Sequence, residues 1–241
     1  MDMNTKESAL KILKTLTTTL FAAAVIAGCG NGDSANAANV EAAADAAKGQ
    51  KVLLDADSPE MKKQAPDEYQ ARFETNKGAF VIDVERKLAP HGADRFYNLV
   101  RHGFYDGQKF FRVMPNFIVQ WGMHGDPKIT AIWQNATILD DPVAISNERG
   151  TVTYAKPGRG SNNRTVQLFI NLVDNGETGA RLDRQRFSPF GRVSEGMKVV
   201  DAITTEYGQS PNQPMIAQGG NAYLNENYPN LDTILSAKIV D

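Results

Sequence analysis

Alternation of apolar and polar positions along most of the chain predicts several short β-strands. Residues 69–75 and 79–85 alternate in this way, and Asn76-Lys77-Gly78 between them has the residue types of a short hairpin turn. Further short strands are predicted within 104–120, at 151–155 and at 167–172. Many short strands separated by turn residues are typical of an antiparallel barrel.

Two segments have apolar residues at helical spacing instead. The first begins at Pro90, a residue favoured at helix starts, and ends before Gly103, a residue common after the last helical turn. The second covers about residues 196–203 and places Met197, Val200 and Ile203 on one side. The pattern therefore predicts a mainly β domain, a closed antiparallel barrel capped by two helices.

The N-terminal residues follow a different pattern. Lys6, Lys11 and Lys14 precede an uncharged, largely apolar stretch over residues 15–27. A basic start, a short apolar stretch and small residues after it are typical of a secretory signal peptide. The stretch is too short for a transmembrane helix, which needs about 20 residues. We interpret residues 1–28 as a signal peptide.

Cys29 is the single cysteine of the chain, so a disulfide within a monomer is excluded. The sequence Ile26-Ala27-Gly28-Cys29 resembles a bacterial lipobox, in which the cysteine is lipid-modified and becomes the new N-terminus. We therefore predict lipidation of Cys29 and anchoring to a membrane of the cell envelope, facing the periplasm or the exterior. The residue after the cysteine is Gly30 and not Asp, which resembles lipoproteins that are sent to the outer membrane in cells that have an outer membrane.

Residues 29–66 are predicted to connect this anchor to the folded domain. Between residues 30 and 50 the composition is mainly Ala, Asn, Gly, Asp and Glu, and Val40 is the one large apolar residue. Such a segment buries too little surface to offset the entropy of ordering. We expect a flexible tether up to about residue 50, a partly ordered approach segment after it, and the domain at 67–241.

Composition and charge exclude several classes of function. The net charge is −2 and the Lys and Arg residues are scattered, so no basic footprint for nucleic acid is present. The histidines, His91, His102 and His124, show no spacing typical of metal ligands. We expect no metal, no cofactor and no nucleic-acid partner, and we expect a monomer.

The main chemical signal lies between Phe110 and Gln120. Arg112 is the one charged residue in this run, where an unpaired buried charge would be costly. If the run forms two strands broken at Pro115-Asn116, one face collects Arg112 with apolar side chains and the amide of Gln120. The alternative is a half-buried strand whose arginine extends to solvent, and the run by itself leaves both open.

The run also fits a longer pattern, F-x-R-x-x-P-x-F-x-x-Q, which is filled by Phe110, Arg112, Pro115, Phe117 and Gln120. This pattern resembles the signature of the cyclophilins, peptidyl-prolyl cis-trans isomerases with a closed eight-stranded barrel. Segments 150–171 and 182–201 resemble further blocks of that family, in the same order and at the same spacing. The resemblance covers about residues 70–241.

The resemblance implies isomerisation of X-Pro bonds in exported or envelope proteins, with proline-containing polypeptides as partners. Arg112 corresponds to the catalytic arginine, and Ala155 to a backbone contact beside the residue before proline. Gln120 and Gln167 correspond to residues that hold the substrate or orient the arginine. The walls of the proline pocket correspond to Phe117, Ile118, Phe169 and Leu182. Taken singly, these apolar residues would be interpreted as ordinary barrel core.

Three departures from the family pattern limit what the resemblance implies. Arg181 replaces a tryptophan that flanks the pocket in many eukaryotic cyclophilins, and either Phe187 or Ser188 replaces a histidine. The loop from Trp121 to Trp133 also differs. We therefore expect poor sensitivity to cyclosporin. The alternative function is a non-catalytic proline-peptide-binding or chaperone module of the cell envelope, which would not need Arg112.

Overall fold

The structure is a computed structural model that describes residues 48–158 and 160–240. The predicted signal peptide, the lipidation site Cys29 and the first part of the predicted tether lie outside the described residues. Within the described residues, no helix has both the length and the apolar character needed to cross a membrane.

An antiparallel sheet of eight strands forms the body of the molecule. The strands are β1 Glu68–Thr75, β2 Gly78–Glu85, β3 Arg112–Met114, β4 Ile118–Trp121, β5 Thr151–Tyr154, β6 Leu168–Asn171, β7 Pro189–Glu195 and β8 Ile234–Val240. Their order across the sheet is β3-β4-β6-β5-β7-β2-β1-β8. The prediction of a mainly β, eight-stranded antiparallel architecture is confirmed.

The closed barrel is not confirmed, because β3 and β8 end the sheet and do not pair as a ladder within the described residues. The segments just before these two strands do approach each other. Lys109 and Thr233 form an isolated bridge. The Phe110 N–H donates to the Asp232 carbonyl (3.1 Å), and the Ile234 N–H donates to the Gln108 carbonyl (2.8 Å). The sheet is thus a curled half-barrel whose ends are linked by a few hydrogen bonds.

The structure has more helices than the two predicted. Four α-helices lie wholly within the described residues, namely α1 Pro90–Arg101, α2 Pro127–Trp133, α3 Met197–Asp201 and α4 Gln213–Asn227. Residues 48–53 are also helical, and short 3₁₀ helices occur at Pro59–Lys62 and Arg86–Leu88. Helices α1 and α3 are the two that the apolar spacing predicted, and Gly103, two residues after the end of α1, has a positive φ (+69°).

The apolar spacing of the sequence did not predict the other two helices, α2 and α4, and each has a physical reason. Helix α2 has only seven residues. Helix α4 is interrupted at Gly220, whose φ and ψ of 55° and −142° are not helical, so its apolar residues do not keep one phase. Both nevertheless begin with a capping side chain. Asp126 accepts a hydrogen bond from the Lys128 N–H (2.8 Å), and Asn212 accepts one from the Met215 N–H (3.1 Å).

Aromatic side chains fill the inside of the curled sheet and form the main core. The ring of Phe73 stacks on Phe80, with centroids 5.0 Å apart, and meets Trp121 edge-on at 5.9 Å. Helix α1 adds Phe96, whose ring lies 6.1 Å from Phe73. Each of these four side chains is fully buried. Burial of this much aromatic surface is the dominant stabilising contribution to the domain.

Part of the segment before β1 packs on the same core. Leu53, Met61 and Ala65 are buried. The indole N–H of Trp133 donates to the Leu53 carbonyl (2.8 Å), and the Ala65 N–H donates to Asp94 (2.9 Å). The segment therefore contacts both α1 and α2.

Candidate active site

The hairpin of β3 and β4 positions the arginine predicted to be catalytic. Its turn contains Asn116 with φ of 57°, a conformation that asparagine tolerates better than most residues. Arg112 lies directly opposite Gln120, and Gln120 lies directly opposite Phe169 of β6. Cross-strand neighbours share one face of a sheet. The charge, the amide and the aromatic ring therefore form one row across three strands.

An apolar seat lies beside this row. It consists of Ile118, Phe169 and Leu182, which form a buried cluster separate from the main core. Phe117, Ala155 and Phe187 pack against its edge. Because the seat is separate from the main core, it differs from ordinary barrel interior. Ordinary barrel core was the interpretation of these residues when each is taken singly.

A network of buried asparagines, which the sequence analysis missed, holds the walls of the seat. Asn175 donates to the Phe117 carbonyl (2.9 Å) and to the side-chain oxygen of Asn171 (2.9 Å). Asn147 donates to the Phe187 carbonyl (2.8 Å). The backbone N–H of Leu182 donates in turn to the Asn175 carbonyl (2.8 Å). No local pattern indicated these residues, because their partners are distant in sequence.

Asp183, in the loop between β6 and β7, holds that loop against the segment before β5. Its carboxylate accepts hydrogen bonds from the Ser146 hydroxyl (2.5 Å) and from both the backbone and side-chain N–H of Asn147 (2.9 and 2.7 Å). Burial alone would raise the pKa of Asp183, but these hydrogen bonds lower it below its ordinary value. The charged carboxylate therefore fixes the backbone that presents Leu182.

A row of three amides, Gln120, Gln167 and Gln213, extends from Arg112. The Arg112 guanidinium donates to Gln120 (3.0 Å), Gln120 donates to Gln167 (2.8 Å), and Gln167 donates to Gln213 (3.2 Å). The predicted roles of Gln120 and Gln167 concerned orientation of the arginine or the substrate. Gln213 was not predicted, because it belongs to the unpredicted helix α4.

The electrostatic environment leaves the Arg112 charge available to a ligand. Partial burial lowers the pKa of Arg112 from its ordinary value, and no charged neighbour among the described residues contributes to the shift. The guanidinium still remains protonated near neutral pH, because its ordinary pKa is so high. The guanidinium carbon Cζ lies 5.6 Å from the centroid of the Phe117 ring, so a cation–π interaction stabilises the charge on one face.

The row and the seat open into one groove of about 940 Å³. All eight residues predicted to contact substrate or perform catalysis line it, namely Arg112, Phe117, Ile118, Gln120, Ala155, Gln167, Phe169 and Leu182. The structure thus brings together segments that are up to 70 positions apart in the chain.

Helices α2 and α4 extend the groove beyond the amide row. These two helices, with Gln134 directly after α2, contribute Thr130, Ala131, Gln134, Gln213, Pro214, Ala217 and Gln218. Gly122 is required at this end of the groove, since its φ is +114° and a Cβ there would lie 2.4 Å from the Cα of Gln167. His124 also lines it; its ring accepts a hydrogen bond from the Asp126 N–H (2.9 Å), and burial lowers the pKa of His124.

The structure also places the residues at which the chain departs from the family pattern. Phe187 lines the groove, whereas Ser188 is buried and donates to the Asp141 carbonyl (2.6 Å). Arg181 is exposed, has φ of 54°, and immediately precedes Leu182 of the seat. Trp133, like Trp121, is fully buried in the main core.

Across the two described ranges, no group of three or more His, Cys, Asp or Glu side chains is arranged to hold a metal ion.

Comparison with known proteins identifies the family. The family model described as "Cyclophilin type peptidyl-prolyl cis-trans isomerase/CLD" matches residues 70–220. The chain therefore belongs to the cyclophilin-type peptidyl-prolyl cis-trans isomerases. The predicted family and the predicted enzyme class are both confirmed.

Individual relatives agree with this. The chain is 35% identical over 150 residues to a peptidyl-prolyl cis-trans isomerase of Acinetobacter baylyi, covering 59% of this chain and 77% of that protein. It is 34% identical over 140 residues to peptidyl-prolyl cis-trans isomerase B of Escherichia coli, covering 54% and 81%. A crystal structure of a cyclophilin-type isomerase from Cryptosporidium parvum shares the fold, with a TM-score of 0.52, 18% identity, and coverage of 72% and 98%.

Proposed function

We propose that this enzyme accelerates rotation of X-Pro bonds in exported or envelope proteins, and that Arg112 stabilises the twisted prolyl amide. The observation that carries the proposal is the position of Arg112. It lies next to the apolar seat, is held by Gln120, and has no charged neighbour among the described residues that shifts its pKa.

The chemistry requires very little from the protein beyond positioning. Rotation of an X-Pro bond crosses a barrier of about 18–20 kcal/mol that comes from amide resonance. No bond breaks, so neither a nucleophile nor a proton donor is needed. When the amide twists, the prolyl nitrogen regains its lone pair and becomes a better hydrogen-bond acceptor. A fixed guanidinium beside that nitrogen binds the transition state more tightly than either planar ground state.

The groove supplies the two kinds of contact that such a rotation needs, one for the proline ring and one for the peptide backbone. The apolar seat of Ile118, Phe169 and Leu182 offers a surface for the proline ring. The polar row that begins at Gln120 offers donors and acceptors for the peptide backbone. One side of the bond is then held by apolar contact and the other by hydrogen bonds, so the bond between them can turn.

Proline-containing peptides are the proposed substrates. A crystal structure of the Cryptosporidium parvum relative was determined in the presence of the dipeptide Ala-Pro. That protein shares the fold at 18% identity. The choice of that dipeptide is consistent with an apolar seat of the kind described above.

We also propose that a lipid on Cys29 anchors the mature enzyme, as a monomer, to a membrane of the cell envelope. The support is the sequence alone, since the lipobox-like Ile26-Ala27-Gly28-Cys29 and the Ala- and Asn-rich segment that follows it precede the folded domain. Such an arrangement would hold the groove within reach of proteins that fold outside the cytoplasm.

The activity is tested with the full chain in detergent, by NMR exchange spectroscopy on an Ala-Ala-Pro-Phe peptide. We expect interconversion of the cis and trans forms far faster than the uncatalysed step, which takes tens to hundreds of seconds. Binding of the peptide without any acceleration would favour the alternative, a non-catalytic proline-peptide-binding or chaperone module.

The anchor is tested by membrane fractionation of cells that express the full chain. We expect the parent in the membrane fraction, and we expect Cys29→Ser to appear in the soluble fraction or as uncleaved precursor. A variant that fractionates as the mature parent does would contradict lipidation at this residue.

A further inference from the structure

The charged side chains that line the groove are all basic. Arg112 and Lys156 line it, and no Asp or Glu is among the described residues that do so. The chain as a whole carries a net charge of −2. The groove is therefore positive in a protein that is slightly negative, and Arg112 accounts for only part of this charge.

Lys156 directly follows Ala155 and lies near the apolar seat. Its ammonium nitrogen is 5.1 Å from the centroid of the Phe187 ring and donates to the Arg186 carbonyl (3.2 Å). The Phe187 ring in turn meets Phe169 of the seat edge-on at 5.8 Å. A single aromatic ring thus lies between the seat and the Lys156 charge.

Asp140, an acidic side chain that raises the pKa of Lys156, already pairs with another residue, as does its neighbour Asp141. Asp140 and Asp141 lie 3.5 and 2.9 Å from nitrogens of the buried Arg164. No ion pair involving Lys156 occurs in the described part of the chain, where its closest oxygen partner is the Arg186 carbonyl. Burial lowers the pKa of Lys156, Asp140 raises it, and Arg164 and Arg186 lower it. A carboxylate entering from a ligand would relieve this local excess of positive charge.

We propose that the groove selects X-Pro bonds that carry an acidic side chain directly before or directly after the proline, and that Lys156 determines this preference. An extended chain advances about 3.3–3.6 Å per residue. A proline in the seat therefore brings its neighbouring residues past Phe187 to the ammonium. The inference rests on the proposed function and names its substrate class.

The test compares kcat/KM of the full chain for matched peptides that carry Glu, Lys or Ala before the proline, and for a second series that varies the residue after it. We expect at least one series to favour Glu over Lys by about two- to fivefold, as for a partly exposed ion pair. High salt should reduce the ratio by screening.

Substitutions then assign the preference to one side chain. Lys156→Gln should bring the Glu-to-Lys ratio close to one, Lys156→Glu should invert it, and Lys156→Arg should keep it. Lys198→Gln is the matched control, because Lys198 is exposed on α3 and is not part of the groove lining. Its ratio should equal that of the parent.

Two outcomes would overturn the inference: no preference in either series, or an equal ratio in the parent and in Lys156→Gln. In both cases acceleration of the Ala-Pro peptide would leave the proposed function intact. Failure to accelerate any peptide would instead count against the proposed function itself.

Discussion

Strands β4 and β6 each have one face in the main core and one face in the groove, and the two faces are almost equally buried. Val119 and Ile170, on the core side, are 0% exposed, and Ile118 and Phe169, on the groove side, are 3% exposed. Burial therefore does not distinguish a structural apolar residue from one that forms a ligand site.

The neighbours of each face do distinguish them. On the core side, Phe73 is surrounded by other aromatic rings. On the groove side, Phe169 lies in the same cross-strand row as Gln120 and Arg112. Apolar surface beside a held charge and an open volume indicates a ligand, whereas apolar surface closed on all sides indicates stability. Variants of the two faces should separate stability from activity.

The largest expected effect is on the core face. Phe73→Ala removes a ring that contacts Phe80, Phe96 and Trp121, and we expect a loss of about 3–5 kcal/mol in the free energy of unfolding, measured by urea denaturation. Phe169→Ala should cost less stability, because the groove side of the cavity is open to water, but it should lower kcat/KM more. Equal stability losses at the two sites would refute the comparison.

Arg112→Ala tests whether the groove face serves activity and not stability. We expect kcat/KM to fall at least tenfold, equivalent to about 1.4 kcal/mol of transition-state stabilisation, with the urea midpoint little changed. Arg192→Ala is the control, since Arg192 is exposed and pairs with Glu148 away from the groove. Full activity of Arg112→Ala, or its unfolding, would show that the assigned role is wrong.

The next prediction concerns Arg181, an exposed residue that immediately precedes Leu182 of the apolar seat. A flexible, charged Arg181 is costly to cover with an apolar macrocycle, so we expect poor inhibition by cyclosporin. Arg181→Trp should improve the inhibition constant by about tenfold or less, because φ of 54° constrains where the indole can lie. Nanomolar inhibition of the parent enzyme would place Arg181 away from the cyclosporin site.

The smallest expected effect is on the orientation of the arginine. Gln120→Ala removes the acceptor that holds the Arg112 guanidinium, and we expect kcat/KM to fall about three- to fivefold. Gln70→Ala is the control, because its amide bonds Asp83 on the exposed side of β1 and β2. An unchanged kcat/KM would mean that the arginine keeps its position without the amide.

Much of this architecture could be predicted from local pattern. Alternation predicted the β1–β2 hairpin, and the observed register pairs Thr75 with Gly78, as a short turn requires. The predicted break at Pro115-Asn116 allows Arg112 and Gln120 to share a face, since side chains on a strand repeat every two residues, and the observed register places them directly opposite each other. These features depend on neighbours a few positions apart, which the sequence shows directly.

The sequence alone therefore determined strands β1 to β6, helices α1 and α3, the family and the eight groove residues. Tertiary structure decided what depends on distant partners. It set α4 beside β6, so that Gln213 extends the amide row, and it set Lys156 over Phe187, so that the groove gains a second cation. Hydrogen bonds and charges act over a few ångströms in space, and the chain order does not state which distant residues lie that close.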